Sequence, residues 1–184
     1  MLTTWAVLPG MRERKSGVIV NIASRAATVD FPFSTGYNSS KCAVTRATST
    51  LQEELDLDEL DVQMYALHPG GVPTAMSSRE SPLSREKKFV ADDTVGETNP
   101  EILKKYPSLQ EATPDFKNLF KDPPELCGAV ATYLAAGQAK ELRGMYIDCR
   151  QDLERIQAVG REKLQKDFLY TLKIDFLEGY KNEP

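Results

Sequence analysis

The sequence predicts an α/β fold in which a parallel sheet is flanked by helices. Two observations carry this. The run Gly17-Val18-Ile19-Val20-Asn21-Ile22-Ala23 is almost continuously apolar and β-branched, as in a strand buried on both faces of a parallel sheet. A second apolar run, Val62 to Leu67, follows a segment of helical spacing. A helix between two buried strands is a βαβ unit, whose crossover is right-handed.

Taken in order, residues 1–14 read as the end of a helix, disturbed by Pro9 and Gly10 and solvated at its exit by the MRERK run. The first strand follows at 17–23. Residues 24–36 hold Asp30, Pro32, Ser34, Thr35 and Gly36 and read as a loop. A helix is expected from Tyr37 to about Asp56, with Ala43, Ala47, Leu51 and Leu55 on its apolar face. The acidic cluster Glu53, Glu54, Asp56, Asp58, Glu59 and Asp61 reads as a solvated helix end and turn. The second strand ends at His68-Pro69-Gly70-Gly71, and His68 reads as a structural strand-end residue.

From Thr74 to about Pro124 the pattern is weak over a length too great for a plain connection, which suggests a lid or binding loop with short helices of its own. Residues 125–136 read as a helix stopped by Gly137, and 143–148 as a third strand. In the tail from Gln151 to Tyr180, charged residues alternate with Leu153, Ile156, Leu164 and Phe168, which suggests a surface helix.

Composition bounds the function. The 184 residues are 41% hydrophobic and 27% charged, which suits one globular domain. A net charge of −4 argues against broad electrostatic binding to nucleic acid or anionic lipid. Cys42, Cys127 and Cys149 show no paired spacing and read as reduced, buried thiols; one histidine rules out a His-rich metal site. No apolar run reaches transmembrane length, and the charges at the N-terminus follow its apolar part, unlike a signal peptide. The expectation is a cytoplasmic protein without membrane or nucleic-acid partners.

Three elements carry chemistry. Tyr37 and Lys41, four apart on a helix, share a face. A phenol is a poor acid–base group at neutral pH, and a neighbouring ammonium favours its ionised form. Ser24 closes the first strand, thirteen residues before Tyr37. Ligands bind at the C-terminal ends of parallel strands. There a serine hydroxyl can donate to a carbonyl oxygen while the tyrosine protonates it. The third element, Pro69-Gly70-Gly71-Val72-Pro73-Thr74, lies at the same edge after the second strand. Its glycines permit close backbone approach, Val72 offers backbone groups, and Thr74 offers a hydroxyl. Each also has an ordinary reading: a surface pair, a turn-capping serine, a plain turn.

In combination, GVIVNIAS, Tyr37-Asn38-Ser39-Ser40-Lys41 and HPGGVPT resemble the short-chain dehydrogenase/reductase family in residue type, order and spacing. The resemblance covers residues 1–74 well and ELRGMYIDCRQDLE more loosely. It implies an NADP- or NAD-dependent oxidoreductase that acts on a carbonyl or secondary alcohol. Ser24 would stabilise the substrate oxygen, and Tyr37 would be the general acid or base. Lys41 would tune the tyrosine and bind the nicotinamide ribose, and Val72 and Thr74 would hold the carboxamide. The fold implied is a partial Rossmann-like sheet in a single domain. Residues 1–74 are its catalytic core, 75–124 the substrate-loop region, 125–150 the last helix and strand, and 151–184 a helical tail.

The glycine-rich turn that receives a pyrophosphate in this family has no counterpart in the sequence. The expectation is therefore the catalytic half of such a fold, with the N-terminal dinucleotide-binding half missing and weak cofactor binding by the isolated chain. The choice between NAD and NADP is not legible. Phe31, Phe33, Met76 and the 75–124 segment would line the substrate pocket, which suggests a fairly apolar small molecule. Helices 1–14 and 37–56 correspond to the dimer contact of many relatives, which leaves a homo-oligomer open. The alternative from a different class is a non-catalytic relative that acts as an interaction module.

Overall fold

The protein is described by a computed structural model over residues 2–32, 34–74, 100–108 and 119–177. The elements in order are α1 (Leu2–Arg14), β1 (Ser16–Ile22), a 3-10 turn (Arg25–Ala27), α2 (Thr35–Leu57) and β2 (Asp61–His68). Then come α3 (Pro100–Lys105), α4 (Pro124–Ala135), a second 3-10 turn (Lys140–Leu142), β3 (Tyr146–Asp148), α5 (Leu153–Gln157) and α6 (Arg161–Lys166). The strands form one parallel sheet in the order β1-β2-β3. β1 pairs with β2 from Ser16 opposite Asp61 to Ile22 opposite Leu67. β3 pairs with β2 from Ala66 opposite Tyr146 to His68 opposite Asp148. The α/β class and the βαβ unit thus stand as the sequence predicts.

Alternation along β2 explains why it is apolar throughout. Val62 and Met64 face Leu8 of α1 and Leu51 and Leu55 of α2. Tyr65 and Leu67 face the other side, with Leu134, Leu142, Ile147, Leu153, Ile156 and Leu164. Helices therefore cover both faces of the strand, and every residue from Val62 to His68 is buried. A polar node joins the first three elements: Asn21 of β1 donates to the Thr48 hydroxyl of α2 at 3.0 Å and lies 3.5 Å from the Thr4 hydroxyl of α1.

The buried stripe of α2 differs from the expected one. Leu51 and Leu55 are buried, together with Thr45, Thr48 and Gln52, whereas Ala43 is exposed. The reason is helix geometry. A step of four residues turns about 400°, so a row of such steps drifts about 40° each time and leaves the core face after a few turns. Cys42 also lies on the exposed side, unlike the buried Cys149.

β3 is shorter than expected because a side chain takes the place of its first half. The buried Gln52 accepts the Met64 N–H at 2.7 Å and donates to the Val62 carbonyl at 3.0 Å. It thereby satisfies the β2 edge that an earlier start of β3 would have paired. Gly144, at φ +82°, turns the chain back in, and its N–H reaches the Met64 carbonyl at 2.7 Å. The glycine is needed at that φ, and a Cβ there would also crowd Gln52 Cγ at 3.1 Å.

The acidic helix end is not uniformly solvated either. Asp56 bonds Gln52 at 2.9 Å, Arg143 at 2.8 Å and Arg161 at 3.0 Å. Burial raises its carboxyl pKa, but these partners outweigh burial and hold it below the ordinary value. The tail is two short helices rather than one long one, broken at Gly160 with φ +84°. Its Leu153, Ile156 and Leu164 are core residues, while Phe168 is exposed. Among the described residues no helix is long and apolar enough to cross a membrane.

Two stability outcomes follow from this packing. Gln52→Leu keeps the volume but strands the Met64 N–H and the Val62 carbonyl. It should cost about 1–3 kcal/mol for each group left unpaired, read by urea denaturation against wild type. The second concerns pH. Burial lowers the His68 pKa, Arg150 and Arg25 add to that, and Asp148 and Asp122 oppose it. An imidazole harder to protonate in the folded state contributes stability that is complete above its unfolded value, about 6.5, and is lost as pH falls below it. The lowered Asp56 has the same sign, with its loss beginning only below about 4. Urea midpoints should therefore decline in two stages on acidification, and His68→Leu should abolish the first stage while keeping the second.

Candidate active site

Parallel pairing brings the ends of all three strands to one edge of the sheet. Ala23, just past β1, donates its N–H to the Leu67 carbonyl at 2.8 Å, and Cys149, just past β3, donates to His68 at 3.1 Å. The segments Ser24–Arg25, Pro69–Thr74 and Cys149–Arg150 leave the sheet side by side.

Ser24 is half-buried and begins the 3-10 turn, where its Oγ accepts the Ala26 N–H at 3.2 Å. That bond uses an acceptor lone pair and leaves the hydroxyl proton to be donated elsewhere. The capping and the chemical readings of this serine are therefore compatible.

Tyr37 and Lys41 both lie in the first two turns of α2. The Lys41 Nζ sits 5.7 Å from the centre of the Tyr37 ring. The same Nζ donates to the Ile22 carbonyl, the last of β1, at 2.9 Å. The lysine thus ties the start of α2 to the C-terminal end of β1. Tyr37 is 42% exposed, so its ring is accessible from solvent. Phe31 is half-buried and Val29 exposed on the loop that leads into α2, while Phe33 and Met76 lie outside the described residues.

Val72 is half-buried and Thr74 exposed on the loop after β2. The preceding glycines do permit close approach, but the group that approaches is the chain's own backbone. A Cβ on Gly71 would stand 1.6 Å from the Leu119 carbonyl oxygen, and one on Gly70, at φ +80°, 2.6 Å from Asp122 Oδ2. Asp122 accepts the Gly71 N–H at 2.7 Å and returns its own N–H to the Gly71 carbonyl at 2.8 Å.

Asp122, Asp148 and Arg150 are absent from the sequence reading of the edge. The Arg150 side chain grips Asp148 through two bonds, at 2.9 and 2.6 Å, and lies 4.0 Å from Asp122. Burial raises the Asp148 pKa, but the Arg150 bonds outweigh it and leave it lowered. No local pattern announces Asp122, which lies 51 residues from its partner Gly71. His68 is 6% exposed and stacks on Tyr146 at 6.3 Å, and its Nδ1 has no hydrogen-bond partner among the described residues. Burial holds the Tyr146 phenol up at about 12.

The short chain dehydrogenase family profile matches residues 1–83. A short chain dehydrogenase of Pseudocercospora fijiensis is 29% identical over 180 residues, which cover 96% of this chain and 53% of that protein. Among solved structures, a short chain dehydrogenase from Mycobacterium paratuberculosis bound to NAD aligns with a TM-score of 0.58 at 24% identity. The alignment covers 83% of this chain and 51% of that one. A 7α-hydroxysteroid dehydrogenase complexed with NADH and 7-oxo glycochenodeoxycholic acid aligns with a TM-score of 0.52 at 21% identity, over 79% of this chain and 47% of that one. The chain thus spans about half the length of these proteins. Over its first 83 residues the chain thus matches the short chain dehydrogenase family profile, and its parallel sheet with flanking helices shares the fold of those solved structures.

Proposed function

We propose that the chain carries the proton-transfer side of a nicotinamide-dependent oxidoreductase acting on a carbonyl or a secondary alcohol. The observation that carries this is the placement of Lys41, whose ammonium spans the Tyr37 ring and the Ile22 carbonyl at the end of β1. One cation thereby contacts both an accessible phenol ring and the end of β1, at the sheet edge where folds of this class bind ligands. Tyr37 protonates the substrate oxygen in reduction and takes the proton back in oxidation. Ser24 donates a hydrogen bond from its hydroxyl to that oxygen and orients it.

The residues present suit the nicotinamide end of a dinucleotide. Only one of the three Lys41 donors goes to Ile22, and the others are of the kind that binds ribose hydroxyls. Val72 and Thr74 would hold the carboxamide from the neighbouring loop. When bound, the cofactor supplies or accepts the hydride. Among the described residues no comparable cradle is seen for the pyrophosphate end: the glycine pair Gly70-Gly71 is filled by Leu119 and Asp122. NADP and NAD both remain candidates. Val29, Phe31 and the ring of Tyr37 favour a fairly apolar small-molecule substrate.

Tyr37→Phe removes the transferable proton and keeps the ring. Turnover of an apolar ketone with NADPH or NADH should fall roughly a hundredfold or more, and full activity in this variant would refute the assignment. Lys41→Met should reduce turnover and also weaken cofactor binding, because the same ammonium serves both groups. In a binding titration alongside the assay, loss of turnover with unchanged binding would remove the ribose role.

A further inference from the structure

The loop after β2 is held by a device that neither the strand pairing nor the family's motif residues include. Gly71 has both its polar backbone groups engaged by one residue, Asp122: the N–H by its carboxylate at 2.7 Å and the carbonyl by its N–H at 2.8 Å. The absent Cβ of Gly71 leaves the room that the Leu119 carbonyl fills, so the two segments lie flush. On its far side Asp122 lies 4.0 Å from Arg150, which is anchored on Asp148, the residue opposite His68 in the sheet. The Asp122 side chain is only 14% exposed, and charge-assisted bonds to a backbone N–H are among the stronger ones. The loop that carries Val72 and Thr74 is therefore braced from β3, through Asp148, Arg150 and Asp122, and not by its own strand alone.

We propose that Asp122 is a positioning residue, which fixes the loop Pro69–Thr74 in the form that receives the nicotinamide carboxamide. The loop half of this stands on the geometry, and the ligand half rests on the function proposed above. Asp122 touches neither substrate nor hydride donor and acts only through Gly71. Asp122→Ala removes the side-chain acceptor but keeps the backbone bond. Asp122→Asn keeps an oxygen for the Gly71 N–H and loses the charge that faces Arg150.

The experiment uses the full chain, labelled for NMR, with wild type, Asp122→Ala and Asp122→Asn compared. Amide exchange is measured without ligand, and NADH and NADPH are then titrated at millimolar concentration while the Val72 and Thr74 amide signals are followed. In Asp122→Ala the Gly71 amide should exchange about tenfold faster, with β1 and α2 amides and the urea midpoint nearly unchanged. Dinucleotide affinity should fall by a similar factor, and Asp122→Asn should recover most of both. A wild type that binds while Asp122→Ala binds equally well would overturn the positioning role, whatever the exchange shows. Loss of affinity without rescue by Asn, alongside a general fall in stability, would also overturn it. If the wild type gives no response to either dinucleotide, the proposed function fails instead. The Gly71 exchange then decides the brace: faster exchange in Asp122→Ala upholds it, and unchanged exchange removes it too.

Discussion

Parallel pairing between β1 and β2 is the constraint on which the rest depends. Seven residues of each strand are in register, and parallel strands send their C-terminal ends to one edge. The helix that connects them must return along the sheet, so its first turns begin above that same edge. This is why Ser24 just past β1, the Lys41 ammonium on the Ile22 carbonyl and the loop that begins after His68 all lie at one edge of the sheet although they are far apart in the chain. The pairing also creates a demand. β2 is buried and has a second edge, and its N–H and C=O groups need partners there. β3 pairs it from Ala66 to His68, Met145 accepts the Ala66 N–H, Gly144 donates to the Met64 carbonyl, and Gln52 serves the Met64 N–H and the Val62 carbonyl.

The two ends of α2 consequently have different tasks. With 23 residues it runs roughly 35 Å. Its first turns carry Tyr37 and Lys41, and Lys41 reaches the C-terminal end of β1. Its last turns hold Gln52 and Asp56, which complete β2 and gather Arg143 and Arg161 from the far side of the core. Partly buried arginines with a shared carboxylate are strongly coupled, and removal of that carboxylate would leave two cations facing each other. The Asp56 charge that joins two distant arginines sits at one end of the helix, and the Lys41 charge that reaches the end of β1 sits at the other.

How much of this could be read from the sequence depends on how local each feature is. β1, α2 and β2 were legible because apolar runs and helical spacing are local, and the Tyr37–Lys41 pair because four residues on a helix is a local distance. The bond from Lys41 to the Ile22 carbonyl was not legible, because it depends on how α2 docks at the end of β1. Gln52 and Asp56 gave no signal, since a polar residue near a helix end is ordinarily solvated, and what buries these two is a turn and a tail about ninety and more residues away. The Leu153, Ile156 and Leu164 spacing did report an apolar face. The break at Gly160 that lets this face fold into the core required a backbone conformation that spacing does not encode.

The candidate site divides along the same line between local and distant support. Ser24, Tyr37 and Lys41 are held by one uninterrupted stretch of chain, from the end of β1 through the second turn of α2. The loop with Val72 and Thr74 is held by segments that come late in the sequence, 119–122 and 148–150. Groups without shared partners contribute nearly independently to stability and binding, whereas groups in one hydrogen-bonded network do not. The phenol and the loop share no bond among those described, so changes at Asp122 or Arg150 would reach the phenol only through a ligand that touches both. A bound dinucleotide, in contact with Lys41 on one side and the loop on the other, would be that ligand. Coupling between the two halves of the site is therefore expected to arise with the cofactor in place, and to be small in the chain alone.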